Sequence, residues 1–165
     1  MILRKALENE AKLAYQCIDE ARNYQQSLGF IQWHAGYPNM TTIKEDIQKG
    51  IGYVFEEDGK ILGYCCILLG DEPAYHEIEG TWLTERPYGV VHRMGFNNAS
   101  RGKGYSAPAF ASIKEFCLAQ GYTAVRIDTQ EENKVMQHIL QKEGFVQCGI
   151  IFYDNGPRLA YEWDA

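Results

Sequence analysis

The sequence predicts an α/β fold, in the α+β sense, in which helices flank a mixed sheet. Two observations predict it. Two strand-like runs joined at Asp58-Gly59 give a strong hairpin signal. Later in the chain, two strand–helix–strand units follow one another, and this alternation favours a sheet covered by helices. Because 165 residues without a linker-like segment fit one core, a single domain over residues 1–165 is expected.

The predicted helices share apolar residues at helical spacing and a glycine after the last turn. They are expected over residues 11–28, 43–49 and 106–120, and between Asn133 and Gly144. Thr41 or Thr42 can cap the second helix, and Asn133 can cap the fourth. The predicted strands, which are apolar runs between turn signals, lie within residues 1–7, 53–57, 60–69, 78–83, 88–96, 122–129, 145–154 and 158–163.

Composition and charge argue against several classes of protein. Lys and Arg number 16 against 22 Asp and Glu, a net charge of −6, so the basic field that nucleic-acid binding needs is missing. Five cysteines without a C-x-x-C pair argue against a disulfide framework or a zinc site, and no metal is expected. The longest apolar segment, residues 61–69, is too short to span a bilayer, and the start does not resemble a signal peptide. A cytoplasmic protein without membrane or nucleic-acid partners is expected.

The stretch NNASRGKGYSAPAF, from Asn97 to Phe110, places a glycine-rich turn before a predicted helix. Glycine permits backbone angles at which successive N–H groups converge on an anion, and a helix start adds the positive end of its dipole. Lys103 can pair with phosphate, and Pro108 is tolerated in a first helical turn. The stretch therefore predicts a phosphate cradle; the alternative is a solvated basic turn.

Two familiar phosphate motifs fit this stretch poorly. The ATP/GTP loop needs G-x-x-x-x-G-K-[ST], but Asn97 stands at its first glycine and Gly104 at its Ser or Thr. A dinucleotide fingerprint, G-x-G-x-x-A, does begin at Gly102, and Asp128 could bind a ribose, which would indicate an NAD(P)-binding oxidoreductase. Against it, five residues separate Phe96 from Gly102, and too little chain follows for a second nucleotide-binding half.

A third motif fits better. The run RGKGYS, from Arg101 to Ser106, resembles the [QR]-x-x-G-x-[GA] pyrophosphate motif of the GNAT superfamily of acyl-CoA N-acyltransferases, with Ser in the last place. The segment from Asn133 to Phe145 and the order of the elements are similar to that family as well. The resemblance implies a GNAT-like, mostly antiparallel central sheet of six to seven strands flanked by about four helices. It also implies acetyl-CoA as co-substrate.

The resemblance implies two sets of binding residues. Those expected to bind acetyl-CoA are Met94, Phe96, Arg101, Gly102, Lys103, Gly104, Tyr105, Ser106 and Asn133. Trp33 and Tyr37 lie in the loop where family members build the acceptor pocket, and their rings would suit a cationic amine. Anchoring of the loop into the core explains these two aromatic residues equally well.

The catalytic residues are marked less clearly, because two family positions carry other side chains. Leu140 stands where many relatives have a tyrosine that acts as general acid. Val90 stands where some relatives have a glutamate that acts as general base. Strand alternation places His92 on the face of Val90 and Met94, so His92 is a candidate base; otherwise it is a buried histidine under a helix. Glu79 is a second candidate, acting through water, and otherwise an exposed strand carboxylate.

The expected function is therefore N-acetyl transfer from acetyl-CoA to a primary amine, by direct attack in a ternary complex. The acceptor is a small-molecule or peptide amine, and a polyamine, an aminoglycoside, an amino acid and a protein N-terminus all stay open. A homodimer stays open as well, because the sequence does not indicate the oligomeric state. The main alternative, motivated by Leu140 and Val90, is a non-catalytic domain that binds or senses acyl-CoA.

Overall fold

The structure of the protein is a computed structural model that describes residues 1–30, 33–34 and 36–165. The loop that contains Trp33 and Tyr37 is called the aromatic loop. Three residues in it lie outside the described residues: Ile31, Gln32 and Ala35. Within the described ranges the α-helices are α1 (Ala11–Ser27), α2 (Met40–Gln48), α3 (Ser106–Ala119) and α4 (Lys134–Lys142). The strands are β1 (Ile2–Lys5), β2 (Gly52–Glu57), β3 (Lys60–Leu69), β4 (Glu79–Gly80), β5 (Tyr88–Phe96), β6 (Ala124–Thr129), β7 (Val146–Tyr153) and β8 (Gly156–Asp164).

The strands are hydrogen-bonded in the order β1-β2-β3-β5-β6-β8-β7-β4. β5 and β6 run parallel, whereas β1–β2, β2–β3, β6–β8, β7–β8 and β4–β7 pair antiparallel. For the described part of the chain, a mixed, mostly antiparallel sheet with four helices is thus confirmed. The sheet has eight strands there, whereas the resemblance implied six to seven. β8 lies between β6 and β7, so only the first strand–helix–strand unit joins neighbouring parallel strands.

The chain divides into two compact units, residues 1–67 with 92–113 and residues 68–91 with 114–165. In the first unit, α1 and α2 share a core with the hairpin of β2 and β3. Ile18 of α1 and Ile43 of α2 are fully buried in this core, together with Val54 and Tyr64. Burial of such side chains is the main source of stability of this unit. The single domain over residues 1–165 stays a prediction.

Local signals explain the ends of the elements in the first unit. Asp58 and Gly59 both have positive φ, 51° and 74°, as a type I′ hairpin turn requires, so the predicted hairpin is confirmed. α2 begins earlier than predicted, because Asn39 caps it: its Oδ1 accepts the N–H of Thr42 at 2.9 Å. The expectation that Thr41 or Thr42 is the cap was wrong.

In the second unit, close approaches of the backbone set the positions of two strands. A Cβ on Gly89 of β5 would lie 2.6 Å from the Cys117 Sγ of α3, so glycine lets this helix pack directly on the strand. A Cβ on Gly80 would lie 2.2 Å from the carbonyl oxygen of Cys148. β4 has two residues, which pair with β7 and lie within the range 78–83 where part of a strand was predicted.

Candidate functional site

The glycine-rich turn has the backbone geometry of an anion cradle. Gly102 and Gly104 have φ of 76° and 77°, and a Cβ on either would meet no atom within 4 Å. Backbone angles, not space, therefore require glycine at both positions. Among the described residues, the N–H groups of Gly102, Gly104, Tyr105 and Ser106 have no hydrogen-bond partner. These donors precede or open α3, so they lie at the positive end of its dipole.

Arg101 fixes this turn to α1. Its guanidinium lies 4.1 Å from the ring centre of Tyr24, and its Nη1 donates to Asn98 Oδ1 at 2.5 Å. Glu20 of α1 accepts the Asn98 N–H at 2.5 Å, and this hydrogen bond lowers the pKa of Glu20. The side chain of Arg101 is therefore engaged with the protein, and of this residue mainly the backbone N–H is left for a ligand.

The remaining side chains of the turn differ in their availability. Lys103 is exposed and has no ion-pair partner among the described residues, so its ammonium is available to an anion. The Tyr105 hydroxyl is hydrogen-bonded to Glu57 at the end of β2, and this bond raises the pKa of Tyr105. The turn thus offers one free cation together with its backbone donors.

β5 leads into the turn but does not keep regular strand geometry. Phe96 stacks on Phe55 with ring centres 5.2 Å apart, and Met94 is half-buried. Arg93 has a φ of 50°, which non-glycine residues seldom adopt. The pairing of β5 with β6 extends only as far as Val91. Side-chain alternation is therefore interrupted at Arg93, so strand alternation does not place His92 and Met94 on one face.

The two candidate bases lie in different units. His92 belongs to the first unit and is half-buried next to Arg93, whereas Glu79 belongs to the second unit and is exposed on β4. Among the described residues, the Glu79 carboxylate has no hydrogen-bond or ion-pair partner, as expected for an exposed strand carboxylate. Both assignments stay predictions.

Asn133 is a helix cap in the second unit. Its Oδ1 accepts the N–H of Met136 at 3.0 Å, so the predicted cap of α4 is confirmed. Its amide Nδ2 has no partner among the described residues and is left as a donor. Leu140 and Val90, which occupy the acid and base positions of many relatives, are both 0% exposed. Neither can donate or accept a proton.

The side chains of Trp33 and Tyr37 lie in different surroundings. Trp33 is buried in the core of the first unit, as anchoring of the loop requires. Tyr37 is 39% exposed, and its hydroxyl accepts a hydrogen bond from Arg93 Nη1 at 3.0 Å. A role of either side chain in acceptor binding stays a prediction, and the geometry favours Tyr37.

Two side-chain clusters were not predicted from the sequence. In the first unit, the buried Asp46 accepts from both Arg93 and Tyr64. In the second, Asp128 Oδ2 accepts the hydroxyls of Tyr75 and Tyr153, at 2.7 and 3.0 Å. Burial raises the pKa of both tyrosines, as does the charge of Asp128. Their partners are distant in sequence, so no local pattern marks them. Asp128 is engaged by two phenols, which weakens its assignment as a ribose-binding acid.

Other kinds of site receive no support from the described residues. Across residues 1–30, 33–34 and 36–165, no three His, Cys, Asp or Glu side chains are grouped so as to hold a metal ion. In the same ranges, no helix combines the length and the apolar character needed to cross a membrane. A cytoplasmic location stays a prediction from the sequence.

Comparison with known proteins identifies the family. The model of the Acetyltransferase (GNAT) family matches residues 15–145. A GNAT acetyltransferase from Streptococcus agalactiae is 36% identical, with a TM-score of 0.89 over 99% of this chain and 94% of that chain. A GNAT acetyltransferase from Listeria monocytogenes is 18% identical, with a TM-score of 0.77 over 99% and 94% of the two chains.

A third solved structure contains ligands. The aminoglycoside acetyltransferase AAC(6')-Ib, in complex with coenzyme A and kanamycin, is 18% identical, with a TM-score of 0.72 over 99% of this chain and 94% of that chain. At this identity the likeness shows the fold alone. No curated protein gave a significant match. Because the family model covers most of the sequence, and the turn, the strand before it and the order of elements agree with it, the chain belongs to the GNAT family of acetyltransferases.

Proposed function

We propose that the protein transfers the acetyl group of acetyl-CoA to a primary amine, by direct attack within a ternary complex. The observation that carries the proposal is the cradle from Gly102 to Ser106, which contains two left-handed glycines. Apart from the Lys103 N–H, which donates to the Ser100 carbonyl oxygen at 3.3 Å, its N–H groups have no hydrogen-bond partner among the described residues. Such an arrangement suits a pyrophosphate. Membership of an acetyltransferase family supports coenzyme A as the owner of that pyrophosphate.

Several residues would hold the co-substrate. The cradle N–H groups and the Lys103 ammonium would bind the pyrophosphate. Backbone groups of Met94 and Phe96 would bind the pantetheine arm. Asn133 would contribute the amide hydrogens that its capping role leaves unused. When bound, acetyl-CoA supplies an activated acetyl thioester, and coenzyme A departs as the thiol after transfer.

The chain must also accept a proton. An ammonium cannot attack a carbonyl carbon until it loses a proton, so a base has to receive one before the C–N bond forms and the C–S bond breaks. His92 and Glu79 are the proposed bases. Leu140 offers no acid to the leaving thiolate, but a thiolate of ordinary pKa near 8–9 is a competent leaving group that water can protonate.

The acceptor is proposed as a small-molecule or peptide amine. One neighbour of the same fold, AAC(6')-Ib, was solved with kanamycin and with ribostamycin, which shows what that protein binds. For this chain, support comes from the exposed Tyr37 ring, because an aromatic face attracts a cation within about 6 Å.

Calorimetry and a thiol-release assay test the proposal together. We expect acetyl-CoA to bind and NAD(P)H not to bind, and we expect thiol release with at least one member of a panel of primary amines. His92→Ala and Glu79→Gln should lower kcat without weakening acetyl-CoA binding if either residue is the base. Absence of both acetyl-CoA binding and thiol release would overturn the proposal.

A second candidate is a domain that binds acyl-CoA without catalysis. Full burial of Leu140 and Val90 favours it, because the acid and base positions of many relatives then carry inert side chains. It predicts acetyl-CoA binding without thiol release from any amine. Turnover that disappears in His92→Ala or Glu79→Gln would exclude this candidate.

A further inference from the structure

Arg93 is held in an unusual backbone conformation inside β5. Its φ of 50° lies in the left-handed region, and among the described non-glycine residues only Asp58, in the hairpin turn, shares it. Such a conformation persists where surrounding contacts determine it, and it concentrates at functional sites. The conformation of Arg93 therefore indicates that its side chain has a specific role.

The guanidinium of Arg93 is locked by a buried carboxylate. Its Nε and Nη2 donate to the two oxygens of Asp46 at 3.0 and 2.7 Å, in the paired geometry that arginine and carboxylate favour. Asp46 is only 4% exposed and also accepts the Tyr64 hydroxyl at 2.7 Å. Burial alone would lower the pKa of Arg93, but Cys66 and Asp46 raise it, so the charge is retained.

The third contact of Arg93 sets the direction of a phenolic proton. Arg93 Nη1 donates to the Tyr37 hydroxyl at 3.0 Å. Arginine has no acceptor, so the oxygen of Tyr37 must accept and its own hydrogen must point elsewhere. Among the described residues, that O–H has no acceptor, and Tyr37 is 39% exposed. Tyr37 thus presents a hydrogen-bond donor, and Arg93 holds the oxygen that carries this hydrogen in place beside the middle of β5.

Further contacts hold the backbone at Tyr37 and at Pro38, the next residue. The buried Arg22 of α1 donates through Nη1 to the carbonyl oxygen of Pro38. Tyr37 and His34 exchange two backbone hydrogen bonds, of 3.0 and 3.1 Å. Two arginines and this backbone pair therefore hold Tyr37 in place before any ligand arrives, which lowers the entropic cost of using its hydroxyl in recognition.

We infer that Arg93 is a positioning residue that aims the Tyr37 hydroxyl at the acceptor, and that the acceptor carries an oxygen able to receive this hydrogen bond close to its amine. Amino alcohols, amino sugars and amino acids have such an oxygen, whereas plain alkylamines and polyamines do not. The inference rests on the proposed function, since it names the substrate class of the same site. A buried donor rejects ligands that cannot satisfy it, and a half-exposed one does so more weakly.

Binding of a matched pair of amines tests the inference. Dissociation constants of ethanolamine and of propylamine are measured by calorimetry in the presence of coenzyme A, so the readout does not depend on turnover. We expect the wild type to prefer the amino alcohol by about two- to tenfold, the range of one neutral hydrogen bond. Tyr37→Phe should abolish this preference and leave the affinity for propylamine unchanged.

Further variants separate positioning from general damage. Arg93→Lys keeps the charge but loses the paired geometry, so it should reduce the preference, with no further loss when combined with Tyr37→Phe. Tyr122→Phe removes a partly buried hydroxyl that has no partner among the described residues, and it should keep the wild-type preference. A wild type that does not discriminate, or a Tyr37→Phe protein that still does, overturns the inference. Absence of acetyl-CoA binding with the preference intact would instead refute the proposed function.

Discussion

Arg126 and Glu162 form an ion pair inside the second unit. Arg126 Nε lies 3.1 Å from Glu162 Oε1, and the two side chains are 7% and 0% exposed. Glu162 also accepts the N–H of Leu83 at 2.6 Å, and Arg126 lies between the rings of Trp82 and Tyr88. The pair therefore ties the segment before β5 to strands β6 and β8.

Removal of the cation should destabilise the protein strongly. Arg126→Met leaves Glu162 buried without its counter-charge, and we expect the free energy of unfolding to fall by about 3–5 kcal/mol. Arg86→Met is the matched control, because Arg86 pairs with Asp164 where the side chains are 50% and 28% exposed; its expected loss is below about 1 kcal/mol. Denaturant unfolding measures both, and equal losses would contradict the prediction.

Alanine substitutions at two glycines with similar φ should differ in their effect on acetyl-CoA binding. Gly104 and Gly29 have φ of 77° and 84°, and a Cβ on either meets open space. Gly104→Ala and Gly29→Ala should therefore both cost about 1–2 kcal/mol of stability. Only Gly104→Ala should weaken acetyl-CoA binding, by about tenfold, because it displaces cradle N–H groups. Calorimetry that finds unchanged affinity in Gly104→Ala would speak against the cradle.

Two buried tyrosines should respond in opposite ways to loss of their hydroxyls. Tyr161 is fully buried, and its hydroxyl has no hydrogen-bond partner among the described residues. Tyr161→Phe should raise the free energy of unfolding by about 1 kcal/mol, because an unsatisfied buried group is removed. Tyr64→Phe should lower it by about 1.5–3 kcal/mol, because Asp46 loses a donor. Destabilisation by Tyr161→Phe would show that this hydroxyl has a partner after all.

The ion pair of Glu10 should make stability depend on pH. Glu10 accepts two hydrogen bonds from Arg4, at 2.9 and 2.8 Å, and these bonds lower its pKa below 4.5. The unfolded chain then binds the proton more readily than the folded one, so this stabilisation is complete above about pH 4.5 and is lost as the pH falls through the folded pKa. The stability difference between wild type and Glu10→Gln should shrink on acidification.

The neighbouring Glu8 supplies a control for this pH dependence. Glu8 is exposed and has no ion-pair partner among the described residues, so Glu8→Gln removes the same charge without removing a salt bridge. Its stability difference from the wild type should stay small at every pH. A Glu10→Gln difference that is independent of pH would contradict the assignment.

Features with a local cause could be predicted from the sequence. The hairpin at Asp58-Gly59 was predicted because two adjacent residues tolerate positive φ, and the end of α1 because Gly29 follows it. The predicted capping residue of α2 was wrong because three polar residues stand near the start of this helix. The choice among them depends on the turn before the helix, in which Asn39 also donates to the carbonyl oxygen of Gly36.

Features with a distant cause could not be predicted. The conformation of Arg93 depends on Asp46, which lies 47 residues away in the chain. β4 ends at Gly80, which has a φ of 136°, and the chain after it is held by Trp82, whose Nε1 donates to the carbonyl oxygen of Tyr75. Strand alternation therefore failed where tertiary contacts override the local pattern. The glycine turn before α3, by contrast, could be predicted because glycine and helix-start signals are contiguous.

The main-chain character of the cradle bears on how such an enzyme can evolve. Gly102 and Gly104 are restricted by their backbone angles, whereas the side chain at 105 can change with little effect on the main-chain N–H groups. In the proposed function, Tyr37 acts through its side chain, so single substitutions there would exchange one acceptor for another. Natural selection, or a directed-evolution library confined to the residues around Tyr37, would thus change the acceptor while the proposed donor site is inherited intact.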